Sequence, residues 1–189
     1  MERCFRKMKR KTTKEILAES FKELAETKNV EKITVKEIAD NCQLSTTTFY
    51  RLFKDKYDLI IWDYLKSIHA IMDKNGRDGY PWSRTIYDGL HYFWDNHAYI
   101  KNLILHTSGY DAFLRLQTAA NIDMLESYIK KAGGQTELDC DTKIYVKMYV
   151  FAIVQTIAAW IVGDIECTPT HLGQLFENTV PDPLRIYLY

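Results

Sequence analysis

The stretch LSTTTFYRLF, Leu44 to Phe53, places three consecutive hydroxyls, Thr46, Thr47 and Thr48, just ahead of Tyr50 and Arg51, with Lys54 following. Threonine is a poor choice for a helix interior, costing up to roughly 0.7 kcal/mol per position relative to alanine. Near a helix start that penalty is softened by capping, and short hydroxyls and methyls there suit contacts with phosphates, base edges and the thymine methyl. An arginine one turn on supplies a planar fork that can bond guanine O6 and N7 together. The simplest alternative is that the hydroxyls only cap a helix and Tyr50 half-buries its ring.

Elements able to present these groups are legible around them. Leu17, Phe21 and Leu24 recur at helical spacing in a first helix over about 13–27. A second runs over about 34–41, opened by TVKE, in which Thr34 caps and Glu37 reaches back. Gln43 and Leu44 make a turn. Ser45 or Thr46 then caps a third helix of about eight residues, whose roughly 12 Å length matches the width of the B-DNA major groove. Phe49 and Phe53 anchor it against Ile38 and Leu44, leaving Thr46, Thr47, Tyr50, Arg51 and Lys54 outward. Asp55 caps a fourth helix over about 56–73, with Ile61, Leu65, Ile68 and Met72 on one face. Lys56 stands at its amino terminus, where free amides and the dipole favour an anion.

Further helices are expected at about 82–96, 98–107, 111–131, 140–162 and 170–179, with no strand alternation, repeat or low-complexity tract. The fold class is all-α. A division at residues 1–56 and 57–189 follows the charge: the first part holds 14 Lys/Arg against 9 Asp/Glu, the second 11 against 16, although the whole chain is neutral. A basic small part joined to an acidic larger one suggests that the first meets a polyanion. The longest apolar run, Met148 to Val162, falls short of the roughly 20 residues of a membrane helix. The basic amino terminus lacks the apolar stretch of a secretory signal, and a cytoplasmic protein is expected. Cys4, Cys42, Cys140 and Cys167 lie too far apart for metal or redox spacing and read as free thiols. GxxxxGK[ST], GxSxG, HExxH and GxGxxG are all absent, which argues against an enzyme, and no cofactor is implied.

ITVKEIADNCQLSTTTFYRLFKDKYDLI, residues 33–60, resembles the DNA-binding segment of the TetR family of transcriptional regulators in its T-V-K-E-I-A, L-S, T-F-Y and F-K-D-K elements and in Leu59. The resemblance implies an amino-terminal three-helix domain with a helix-turn-helix, followed by a larger helical regulatory domain that dimerises through the last two helices. By position it implies base-edge contacts for Lys36, Thr46, Thr47 and Arg51, and phosphate contacts for Thr34, Ser45, Thr48, Tyr50 and Lys56. Gln43 and Thr47 depart from positions that are often glycine. A basic tail, Arg6, Lys7, Lys9, Arg10 and Lys11, can follow phosphates, enter a minor groove or serve as a solubilising end.

In KIYVKMYVFAIVQTIAAWIVG, residues 143–163, apolar side chains surround most of a helix, and Ala152, Ala158, Ala159 and Gly163 permit close approach of a second one. A homodimer would bring two recognition helices to the half-sites of a pseudo-palindromic operator in double-stranded DNA. Aromatics in the larger part, Trp62, Tyr64, Tyr87, His91, Tyr92, Trp94, Phe113 and Tyr149, can line an effector pocket or simply form core. Asp88, His91 and Asp95 share a helix face, but no further metal ligand is identifiable and none is assigned. The expectation is a repressor controlled by an unidentified effector. FWDNHAYIKNLIL and the helix before Pro169 resemble the subgroup that includes dihydroxyacetone-kinase operon activators, which implies as the alternative an activator governed by a partner protein.

Overall fold

The computed structural model describes residues 11–109 and 112–189, in which ten α-helices and one 3-10 turn account for the regular structure. The order is α1 (Thr13–Ala25), the 3-10 turn (Val30–Lys32), α2 (Val35–Asn41), α3 (Thr46–Leu52), α4 (Lys56–Met72), α5 (Trp82–Asp95), α6 (His97–Leu105), α7 (Phe113–Ala132), α8 (Cys140–Val162), α9 (Pro169–Asn178) and α10 (Asp182–Leu188). No strand occurs among the described residues. α10 is an addition to the sequence reading, because Pro181 and Pro183 look like breakers there. Proline is nonetheless well placed in a first helical turn, where its missing N–H has no partner to lose.

The amino-terminal helices wrap a core of Leu17, Phe21, Ile38, Phe49 and Leu59, each fully buried. α1 packs on α2 and α4, and α2 on α3. The Ser20 hydroxyl donates to the Ile38 carbonyl at 2.7 Å and accepts from Asn41 Nδ2 at 3.1 Å, locking α1 to α2. The division at residue 56 meets no linker there: it falls at the first residue of α4, which packs on α1 and also on α5 and α7. Lys22 Nζ lies 2.7 Å from Asp63 Oδ2, and Lys66 pairs with Glu15, so α1 is also tied to α4 by charge.

Behind this unit, α8 runs through the larger bundle against α7, α6 and α10, while α5 packs on α9. α8 is long and apolar enough to cross a membrane by length and composition, which the 15-residue run understates. Its Val146, Tyr149, Val150, Val154, Ile157 and Ile161 are buried within the bundle, as in a core helix. Gly163 ends it with φ 102°, in the left-handed region where a side chain would be strained. Cys42, Cys140 and Cys167 are free thiols, and Cys4 lies outside the described residues.

Candidate nucleic-acid interface

Each short helix of the amino-terminal unit begins on a side chain that closes its own start. Thr34 Oγ1 accepts from Glu37 N at 3.2 Å while Glu37 Oε2 accepts from Thr34 N at 2.9 Å, a full capping box on α2. Of Ser45 and Thr46, it is Ser45 that caps α3, accepting from Thr48 N at 3.0 Å, with the two hydroxyls 3.0 Å apart. Leu44 N donates to Ala39 O at 2.8 Å across the turn, which requires Gln43 at φ 56°. The turn keeps the left-handed geometry that glycine adopts freely, at a cost of roughly 1–2 kcal/mol for a residue with a Cβ.

α3 is fastened from beneath and bare on top. Phe49 and Phe53 are buried with ring centroids 5.7 Å apart, and Phe53 meets Trp62 of α4 at 5.6 Å. Thr47, Tyr50, Arg51 and Lys54 are exposed and Thr46 is half-buried, so these five emerge from one side of the unit. Tyr50 is 60% exposed even though its ring edge touches Phe49, which leaves its hydroxyl free to reach a phosphate. Lys36 pairs with Asp40 at 2.6 Å on the open surface of α2, a solvent-screened contact that a phosphate can displace. Lys11 pairs with Glu19, while Arg6, Lys7, Lys9 and Arg10 lie outside the described residues.

Lys56 requires a correction. Its ammonium donates to the carbonyls of Val30, Glu31 and Ile33 at 2.9, 2.7 and 2.9 Å, which uses all three of its donors. The α4 amides are taken as well, since Asp55 Oδ1 accepts from Tyr57 N and Asp58 N at 2.9 Å each. The Lys56 ammonium is thus engaged within the chain, and two of the first amides of α4 are satisfied by Asp55. Burial lowers the Lys56 pKa, and Lys56 acts as the clamp on the segment between α1 and α2. Asn102 of α6 holds that segment from the other side: its Nδ2 donates to Ala25 O and Lys28 O at 2.8 and 2.9 Å, and its Oδ1 accepts from Val30 N at 3.3 Å. Sequence reading missed Asn102, because a lone amide carries no signal of partners more than 70 residues away.

A cavity of about 140 Å3 lies between α4, α5, α7, α8 and α9. Of the aromatics assigned to an effector pocket, Tyr149 and Tyr64 line it, and the others do not. Trp62 faces the amino-terminal unit, with Lys14 and Lys66 over its ring. Tyr87 and His91 stack on each other at 3.9 Å, Trp94 is half-exposed and stacks on Trp160, Phe113 packs against Tyr64 in the core, and Tyr92 contacts Tyr64 from outside the lining. Asp88 takes Arg84 at 2.9 Å and Tyr80 at 2.6 Å, so its carboxylate is committed within the chain. The lining instead includes Trp82, Thr85, Gln117, Asn121 and Phe176. Gln117 and Asn121 both donate to the Tyr64 hydroxyl, and burial pushes that phenol up to about 12. Their i, i+4 spacing on α7 was a readable sign of a polar spot facing inward.

Residues 16–61 match the family model for bacterial regulatory proteins of the tetR family. The HTH-type dhaKLM operon transcriptional activator DhaS of Lactococcus lactis subsp. lactis (strain IL1403) is 24% identical over 105 residues, so the chain spans 56% of that relative's length. Among solved structures, a dihydroxyacetone kinase operon activator DhaS superposes with a TM-score of 0.63 at 17% identity, covering 94% of this chain and 98% of that one. The fatty acid degradation regulator FadR from Bacillus halodurans gives 0.57 at 16% identity, over 94% and 99%. Both structural likenesses concern the fold.

Proposed function

We propose that this chain, which belongs through residues 16–61 to the tetR family of bacterial regulatory proteins, binds a pseudo-palindromic operator as a homodimer and releases it when a small molecule fills the cavity. It is a DNA-binding regulator and not an enzyme. The observation that carries the reading is the outward set Thr46, Thr47, Tyr50 and Arg51 on a helix anchored by Phe49 and Phe53. In this reading Arg51, Thr46, Thr47 and Lys36 read base edges. Thr34, Ser45, Thr48, Tyr50 and Lys54 hold phosphates, and the Lys56 side chain is withdrawn from the set. The protein works in the cytoplasm, where its DNA is.

Dimerisation is supported by an apolar strip on α8. Ile144, Met148 and Phe151 fall at i, i+4 and i+7 and are exposed, Met148 by 61%, with Tyr145 beside them and exposed Leu175 on α9. α8 and α9 are the two helices expected from the sequence to be the last. α10 comes after them and adds exposed Ile186 and Tyr189.

Selection of bound sequences from random duplex DNA by the purified protein, repeated at several salt concentrations, tests the reading. An enriched inverted repeat is expected, bound about 5- to 150-fold more weakly by Arg51→Ala, as for the loss of a bidentate guanine contact worth about 1–3 kcal/mol. Binding without sequence preference would remove the operator model. Activation through a partner protein is the second reading, favoured by the word activator in the names of the curated relative and of one solved neighbour. A reporter gene behind the selected operator decides the sign.

A further inference from the structure

Among the described residues, two other than glycine have a positive φ, Gln43 at 56° and Asp78 at 49°. Aspartate is enriched in the left-handed region because its short carboxylate can bond the local backbone, an advantage that the longer glutamine lacks. Gln43 is therefore the strained one. The bonds that close its turn run from Gln43 N to Asp40 O at 3.1 Å and from Leu44 N to Ala39 O at 2.8 Å, and glycine would make both. The Gln43 side chain is exposed and bonds to no described residue. Nothing within the fold calls for an amide here, and a backbone outlier without an internal cause points to a function outside the chain.

Its place narrows that function. Gln43 stands two residues before Ser45, the cap of α3, and four before exposed Thr47. It precedes the helix that carries Thr46, Thr47, Tyr50 and Arg51, so it borders their surface from the turn. Beside a recognition helix a duplex offers phosphate oxygens, and a glutamine amide has two N–H donors for them.

Resting on the operator reading for the face that meets DNA, we infer that the Gln43 side-chain amide donates to a phosphate at the edge of the groove entered by α3, a contact that a glycine turn cannot make. The amide is neutral. It adds affinity for any duplex without the counterion release that a lysine or arginine brings, and so without salt dependence of its own.

Gln43→Gly and Gln43→Ala in the full chain, each bound to the selected operator and to an unrelated duplex at several salt concentrations, test the contact. Gln43→Gly removes the amide and the strain together, whereas Gln43→Ala removes the amide and keeps a Cβ at the positive φ. Both are expected to bind either duplex about two- to tenfold more weakly for each subunit in contact, the worth of one hydrogen bond. The slope of log affinity against log salt should not change. Denaturant titration should find Gln43→Gly at least as stable as the unaltered chain. A residue that only held the turn would move stability and binding in the same direction, and here they part. Full binding by either variant, a loss confined to the operator, a slope shallower by about 0.9, or a less stable Gln43→Gly would overturn the inference. If the unaltered chain enriches no sequence, the operator reading fails while the unrelated duplex still decides the contact. No binding to any duplex would overturn both.

Discussion

Between residues 12 and 58 every α-helix starts on a side chain that closes a hydrogen bond within three residues: Thr12 with Glu15, Thr34 with Glu37, Ser45 with Thr48, Asp55 with Asp58. In the larger bundle α5, α6, α7 and α10 start with no such cap, and the polar contacts that matter reach far along the chain, from Asn102 to Ala25 and from Asn121 to Tyr64. The first region is assembled by local chemistry and presents a surface. The second is assembled by long-range packing and encloses a space. Local caps let α2 and α3 stay at seven residues each, too short to hold as isolated helices, once Phe49 and Phe53 supply the packing.

The contrast breaks most sharply at Phe49. Phe49→Ala is expected to cost about 3–5 kcal/mol of stability, whereas Arg51→Ala two positions on should stay within about 0.5 kcal/mol, as denaturant titration would show. A small loss at Phe49 would mean that α3 is not anchored as described.

Asn102 is where the two regions meet, so its loss tests whether they fold as one. Asn102→Ala leaves two carbonyls and one amide of the α1–α2 connection without this partner and should cost about 1–3 kcal/mol. Hydrogen exchange at Val30 should rise with it. If exchange there is unchanged, the segment is held by Lys56 alone.

Gln43→Gly sharpens the comparison from the other direction, by relieving the one local conflict in the recognition unit. Unfolding should be harder by up to about 1 kcal/mol, the left-handed penalty less the extra freedom glycine has when unfolded. Weaker stability would show that the Gln43 side chain makes a contribution exceeding that strain.

The gentlest test is acid. Lys28 and Thr34 hold the Glu37 carboxyl down to about 2, and Lys66 and Thr12 do the same for Glu15. Carboxylates with lowered pKa stabilise the folded state above their ordinary value of about 4.5 and lose that contribution as pH falls toward 2. Stability should therefore decline between those values, with a shallower decline in Glu37→Gln and in Glu15→Gln. In the larger bundle Asp139 is held low by the Thr142 N–H and hydroxyl at the start of α8, so a variant there that spares Asp139 should leave the acid slope unchanged.

Legibility divides along the same line. The capping boxes, the turn, the two phenylalanine anchors and the outward face of α3 could be read from residues 12–58 because each depends on neighbours three or four positions apart. Gln43 at the turn was visible as a departure, and its positive φ shows that the turn kept its geometry and accepted strain. Lys56 was misread because the carbonyls it clamps, more than 20 residues earlier, become neighbours only after folding. Of the eight effector residues expected from aromatic type, only Tyr64 and Tyr149 reached the cavity, since type does not tell which side of a helix another helix will cover.

By itself, then, the sequence determined an all-helical chain, the position of nearly every helix, and a basic unit with a hydroxyl- and arginine-bearing surface, because periodicity and caps are short-range properties. The tertiary structure alone decided which side chains enclose the cavity and how Asn102 and Lys56 grip the same turn. Those outcomes depend on the relative rotation and crossing of long helices, which close packing sets and no local pattern encodes.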